Sequence, residues 1–269
     1  MTRLPEDLAA EALAPVEALV RERLAAATAP LVIGLCGAQG SGKSTVGAAL
    51  AARLPDTVVL SLDDLYLPRA ERERLAETVH PLLRTRGVPG THDVALGEAV
   101  LADLRAGRPV TLPRFDKAID DRAPESTWPL VEGAKLVIFE GWCVGARPQA
   151  PVDLVAPLNA LERDEDASGV WRRYVNDALA EHYDGLFRCD ALILLAAPGF
   201  EVVRQWRTQQ EHALAADIAA GRRRGRAMSD AEVGRFIQFY QRLTENILRD
   251  MPGYADLTVR LDADRRVIA

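Results

Sequence analysis

Leu31-Val-Ile-Gly-Leu-Cys36 runs directly into Gly37-Ala-Gln-Gly-Ser-Gly-Lys-Ser44, with Thr45 following, so an apolar stretch meets a complete G-x-x-x-x-G-K-S turn. A short apolar run before it and a helical pattern after it place the turn between a buried strand and a helix N-terminus. Glycines at 37, 40 and 42 let the backbone bend tightly and aim successive N–H groups at a polyphosphate, where the helix end adds partial positive charge. Gly37, Ala38, Gln39, Gly40, Ser41, Gly42, Lys43, Ser44 and Thr45 are therefore read as a nucleotide cradle. Lys43 supplies a point charge for the β and γ phosphates, and the Ser44 hydroxyl can join a Mg²⁺ shell.

Working outward, short apolar runs alternate with helical segments, which predicts an α/β fold with a mostly parallel sheet flanked by helices on both faces. Strands are expected at Leu31–Cys36, Thr57–Leu62, Leu136–Glu140 and Ala191–Leu195, with a last strand pair available between Leu257 and Ile268. Helices are expected at Pro5–Ala27, Lys43–Arg53, Val94–Arg105, Val170–Glu181, Glu201–Ala220 and Ser229–Arg249. Ser229 and Glu232 have capping-box spacing. The stretches Pro81–His92 and Pro113–Pro129 read as long loops, which at the C-terminal rim of such a sheet are natural walls for a second ligand.

Composition narrows the class. The chain has 269 residues, 48% of them hydrophobic, and a formal charge of −6. That balance argues against a surface built for nucleic acid. No run approaches the ~20 apolar residues of a membrane span, and acids at Glu6, Asp7, Glu11, Glu17 and Glu22 argue against a signal or transit peptide, so a cytoplasmic location is expected. Cys36, Cys143 and Cys189 match no metal or disulfide spacing and read as core residues. Lys43, Lys117 and Lys135 are the only lysines, and two of the three fall within motif-like segments.

Ser61-Leu-Asp-Asp-Leu-Tyr66 ends the second expected strand, on the edge that carries the glycine turn. Asp63 is read as the base that takes the proton of an alcohol acceptor and as a Mg²⁺ ligand. Asp64 is read as an N-cap of the next turn. Glu140 ends Val137-Ile-Phe-Glu-Gly141 and is read as a ligand to Mg²⁺-bound water, the alternative being a loop-capping acid. Two loops gather unlike groups: Arg86, His92 and Asp93 in one, Arg114, Asp116, Lys117 and Arg122 in the other. They suit an anionic, hydroxylated acceptor, the alternative being internal ion pairing such as Asp116 with Arg122. Arg204 and Arg207 lie on one helix face, either as cations reaching a transferring phosphoryl group or, for Arg207 with Glu211, as a surface pair. Gly221-Arg-Arg-Arg-Gly-Arg226 admits a solvated basic loop, a lid over the nucleotide or a nucleic-acid contact.

Taken together, eight collinear segments resemble the D-glycerate 3-kinase family: the glycine turn, Ser61–Tyr66, Arg86-Gly-Val-Pro-Gly-Thr-His-Asp93, Pro113-Arg-Phe-Asp-Lys117, Ser126-Thr-Trp-Pro129, Phe139-Glu-Gly-Trp142, Trp206-Arg-Thr-Gln-Gln-Glu211 and Met228-Ser-Asp-Ala-Glu-Val233. More broadly the chain is similar to the phosphoribulokinase, uridine kinase and pantothenate kinase group. The resemblance implies a P-loop NTPase fold with a helical lid and substrate loops, residues 1–29 forming a helical extension to a kinase domain at 30–269. It implies ATP and Mg²⁺ as cofactors, a small-molecule partner and phosphorylation of D-glycerate at its 3-hydroxyl. Asp63 would be the base, with Lys43, Arg204 and Arg207 acting on the phosphates. Tyr66, Arg86, His92, Asp93, Arg114, Asp116, Lys117 and Arg122 would line the acceptor site. Leu65 stands where relatives commonly carry Phe. A different small-molecule acceptor is the main alternative. A regulatory NTPase is a weaker one, since the N-K-x-D motif of guanine-reading switches is missing.

Overall fold

A computed structural model describes residues 6–222 and 225–268. In chain order the elements are α1 Glu6–Ala26, β1 Leu31–Gly37, α2 Lys43–Arg53, β2 Thr57–Ser61, α3 Arg69–Thr78, α4 Val94–Arg105, β3 Val110–Thr111, β4 Phe115–Asp116, β5 Asp121–Arg122, β6 Leu130–Val131, β7 Leu136–Gly141, α5 Ala160–Glu165, α6 Val170–Leu186, β8 Ala191–Ala196, α7 Phe200–Ala219, α8 Asp230–Phe236, α9 Gln238–Asp250, β9 Leu257–Leu261 and β10 Val267–Ile268. The main sheet runs β10-β9-β8-β1-β7-β2, parallel throughout except for β10. The expected tail pair is thus the β9–β10 hairpin.

Strand β7 is buried along its whole length, as a central strand covered on both faces must be. Successive residues show both coverings. Gly47 of α2 approaches Ile138 and Val59, which share a register row with Ile33. The next row, Phe139, meets Phe187 at the end of α6 with ring centroids 6.4 Å apart. Neighbouring side chains on a strand point to opposite faces, so α2 and the end of α6 cover opposite sides. Leu13, Val16 and Val20 of α1 belong to the same hydrophobic cluster as the sheet.

The parallel strands deliver Gly37, Ser61 and Glu140 to one edge. From β1 the chain first builds β2 and β7 on one side and then crosses to β8 and β9 on the other, and this switch beside β1 opens the crevice where ligands of such sheets bind.

Three differences from the sequence expectation have physical causes. Helix α3 was not expected because its inward position is an arginine: Arg72 is 1% exposed and replaces the apolar residue that a periodicity argument needs. Its guanidinium donates to the carbonyls of Leu67, Arg84 and Asp120 at 3.2, 2.7 and 2.7 Å. The expected helix Ser229–Arg249 is divided into α8 and α9, although Ile237 between them keeps helical dihedrals of −67° and −22°. Within Pro113–Pro129, β4 and β5 form a small hairpin. The Pro5 start of the first helix and Arg223 and Arg224 of the basic run lie outside the described residues.

Candidate active site

The glycine turn needs its glycines. Gly40 and Gly42 have φ of +83° and +94°, a left-handed region that costs other residues about 1–2 kcal/mol. A Cβ on Gly40 would also lie 2.6 Å from Cβ of Trp206. The turn is gripped from the β9–β10 hairpin: Arg265 donates through Nε to the Gly40 carbonyl at 2.6 Å and through Nη2 to Gln209 at 3.0 Å. Its guanidinium lies 4.8 Å from the Trp206 ring centroid, and the Trp206 indole donates to the Ala263 carbonyl at 2.8 Å.

Glu140 is the junction of the site. Its Oε1 accepts from Ser44 at 3.2 Å and from Ser61 at 2.9 Å, and Lys43 Nζ lies 3.8 Å from Oε2. That Oε2 atom and Ser41 Oγ are buried without a hydrogen-bond partner among the described residues. An orphaned carboxylate oxygen beside a lysine and a serine hydroxyl fits a hydrated divalent cation with bound phosphates. Among the described residues no group of three or more His, Cys, Asp or Glu stands ready to hold a metal ion by itself.

Asp63 is aimed by a single 3-10 turn, Leu62–Leu65. Leu62 and Leu65 are buried, and the i, i+3 spacing of those two places the acids between them toward the cleft. Ser61 accepts from the Asp63 amide at 3.3 Å, so Ser61, not Asp64, is the cap. Asp64 instead accepts from the Phe115 amide at 3.0 Å and from Arg114 at 3.1 Å, tying the turn to β4. Asp63 takes hydrogen bonds from Tyr66 and Lys117, each at 2.5 Å. Burial alone would raise its carboxyl; the charges of Lys117 and Lys43 and the bonds from Lys117 and Tyr66 overcome this and hold it well below the usual carboxylate range. It is ionised at any physiological pH.

The loops at 81–92 and 113–129 lie beside this carboxylate, with their cations already paired. Arg86 bonds Asp120 and lies over Phe115 and Tyr66, 5.4 and 6.0 Å from their ring centroids. Arg122 bonds Asp93 at 2.8 Å, so the alternative pairing with Asp116 does not form. Asp93 also caps α4 by accepting from the Leu96 amide at 3.1 Å. His92 stacks on Tyr66 at a centroid distance of 5.0 Å. Asp116 does not join this group: it is exposed and accepts from the Ala118 amide in its own hairpin turn.

On α7, Arg204 is exposed and borders Gly234 of α8. Arg207 bonds Glu211, which is 3% exposed, and lies 5.6 Å from the Phe236 centroid; the pair is therefore not a surface pair. Glu211 also accepts from the Met228 amide at 2.8 Å. Ser229 and Glu232 complete the expected capping box. Sequence reasoning missed Arg72, Tyr183 and Arg265. Arg72 staples the loops at 81–92 and 113–129 together, Tyr183 bonds His92 at 2.7 Å, and Arg265 holds the glycine turn. None lies within a recognisable motif.

A glycine cradle at the end of β1, a strand-end acid on adjacent β7 and a second carboxylate facing a cation-lined loop define a P-loop kinase. The sequence pattern of the AAA domain matches residues 32–118. The chain is 38% identical over 226 residues to an uncharacterized kinase of Schizosaccharomyces pombe, covering 78% of each. It is 32% identical to the chloroplastic D-glycerate 3-kinase of Arabidopsis thaliana, covering 89% of this chain and 54% of that one. Among solved structures, D-glycerate 3-kinase of Cryptococcus neoformans superposes with a TM-score of 0.78 at 25% identity, covering 96% of this chain and 97% of that one. The chain belongs to the D-glycerate 3-kinase family of P-loop kinases. No helix among the described residues is long and apolar enough to cross a membrane.

Proposed function

We propose that this kinase transfers the γ-phosphoryl group of ATP to the 3-hydroxyl of D-glycerate, giving 3-phospho-D-glycerate and ADP. The observation that carries the reading is the Asp63 carboxylate, ionised and held by Lys117 and Tyr66 on the strand edge that presents Lys43. The acceptor hydroxyl oxygen bonds to phosphorus, the bond from phosphorus to the β-phosphate oxygen breaks, and Asp63 takes the hydroxyl proton. Phosphoryl transfer passes through a loose transition state, so an ionised carboxylate of modest basicity is sufficient.

Lys43 positions the β and γ phosphates. Ser44, Asp63 and Glu140 would hold Mg²⁺, which when bound would supply positive charge beside the phosphate oxygens. Arg204 and Arg207 reach the nucleotide from α7. Arg86, Arg114, Lys117 and Arg122 receive the acceptor carboxylate, with Tyr66, His92 and Asp93 completing the wall. Residues 30–269 form the kinase domain, 1–29 an extension to it, and the protein works in the cytoplasm.

An ADP-release assay with D-glycerate, L-glycerate, pantothenate, uridine and ribulose 5-phosphate tests this. D-glycerate is expected to give the highest kcat/KM; preference for any other member of the panel rejects the acceptor assignment.

A further inference from the structure

His92 carries a proton question that the hydrogen-bond geometry answers. The imidazole is 4% exposed. Its Nδ1 lies 2.7 Å from the Tyr183 hydroxyl, and its Nε2 is buried without a partner among the described residues. Tyr183, on α6, is itself 1% exposed. Its phenolic oxygen accepts from the Gly90 amide at 2.9 Å. Gly90 has a φ of +89° and a Cβ there would lie 2.6 Å from the Tyr174 ring, so this glycine is needed to bring its N–H to the phenol.

A phenol has one hydrogen to give and an imidazole has one hydrogen when neutral. Burial pushes His92 down to about 4, so the ring is neutral at pH 7. Two arrangements exist. If Nδ1 carries the hydrogen, the Tyr183 oxygen accepts twice, its own hydrogen is left buried without an acceptor, and Nε2 is left as a bare acceptor. If Tyr183 donates to Nδ1, only the Nε2 hydrogen remains. Each buried orphan costs about 1–3 kcal/mol, so the second arrangement is favoured by one orphan fewer.

The remaining Nε2 hydrogen is what a ligand oxygen would satisfy. Its ring stacks on Tyr66, whose hydroxyl bonds Asp63 at 2.5 Å, so His92 stands one ring away from the proposed base. We infer that Tyr183 is a positioning residue that fixes the tautomer of His92 and so makes Nε2 a neutral hydrogen-bond donor to an oxygen of the acceptor. This rests on the reading of residues 86–93 as the acceptor wall. A neutral donor complements the arginines nearby: they attract charge, whereas a buried neutral donor checks for an oxygen at one point and leaves a ligand lacking it poorly bound.

The test has two arms that fail independently. Long-range ¹H–¹⁵N spectra of the full chain without substrate, with His92 assigned by comparison with His92→Asn among the four histidines, are expected to show the Nε2-protonated tautomer. Tyr183→Phe keeps the ring and removes the hydroxyl, and the same signals are expected to move toward a mixture of tautomers. A wild-type signal from the Nδ1-protonated form overturns the inference, as does an unchanged pattern in Tyr183→Phe; the wild-type spectrum decides even if the variant does not fold. In kinetics, Tyr183→Phe is expected to raise the acceptor KM about tenfold while the ATP KM stays within about twofold. An unchanged acceptor KM overturns the link to the acceptor. If D-glycerate proves not to be the substrate, the spectra stand unaffected, and the kinetic arm is run with whichever acceptor the panel identifies.

Discussion

Among the described residues, the cradle between residues 37 and 44 and Glu140 beside it leave Gln39, Ser41 and Glu140 oxygens buried without a partner, whereas between residues 63 and 122 Arg86, Arg114, Lys117 and Arg122 each hold a carboxylate and the unpartnered atoms are nitrogens, His92 Nε2 and Arg122 Nε. The two halves of one site are prepared differently. Backbone conformation fixes the first, and its unmet bonding capacity waits for a ligand of set shape. Ion pairs fix the second, so on the proposed reading an acceptor carboxylate would bind there by exchange, replacing an aspartate rather than adding to it. Three of these pairs are partly buried and only Lys117–Asp63 is exposed, so the cost of exchange differs from pair to pair.

The largest effect that can break this contrast is expected at the point where the halves meet. Asp63→Asn keeps the size of the side chain and removes the proton acceptor, so kcat should fall about 10³-fold with the ATP dissociation constant within about threefold. Turnover near the wild-type rate would remove Asp63 from the role of base. Next in size, Gly40→Ala places a side chain in a left-handed conformation against Trp206; with about 2 kcal/mol of strain, the ATP KM should rise about thirtyfold while the acceptor KM barely moves. Arg114→Ala is the smaller mirror image: one charge-assisted contact is lost, the acceptor KM should rise about tenfold and the ATP KM should stay. Equal effects on both constants in either variant would mean that the cleft is not divided as described.

The contrast also explains what the sequence disclosed. The bounds of α2 and α4 were legible because local rules set them: the glycine turn starts one, and Asp93 caps the other. Placing Glu140 and Asp63 on the same edge followed from parallel strands alone. The pairings Arg86–Asp120, Arg122–Asp93 and Arg114–Asp64 were not legible. Their partners are separated by loops whose path depends on a buried arginine, Arg72, in a helix with few apolar residues. For the same reason Asp64 was misread as a cap and Asp116 grouped with residues it does not touch. Tyr183 was hidden because its ring looks like any apolar residue of α6, and only its hydroxyl matters.

The grip of Arg265 on the Gly40 carbonyl spans 225 positions of the chain. Synthesis proceeds from the N-terminus, so the glycines emerge from the ribosome long before the arginine that secures them. A nascent polypeptide halted before that arginine already has every letter of the phosphate motif but lacks the contact that ties the turn to the β9–β10 hairpin. The contact that secures the cradle can therefore form only when nearly all of the described chain has been made.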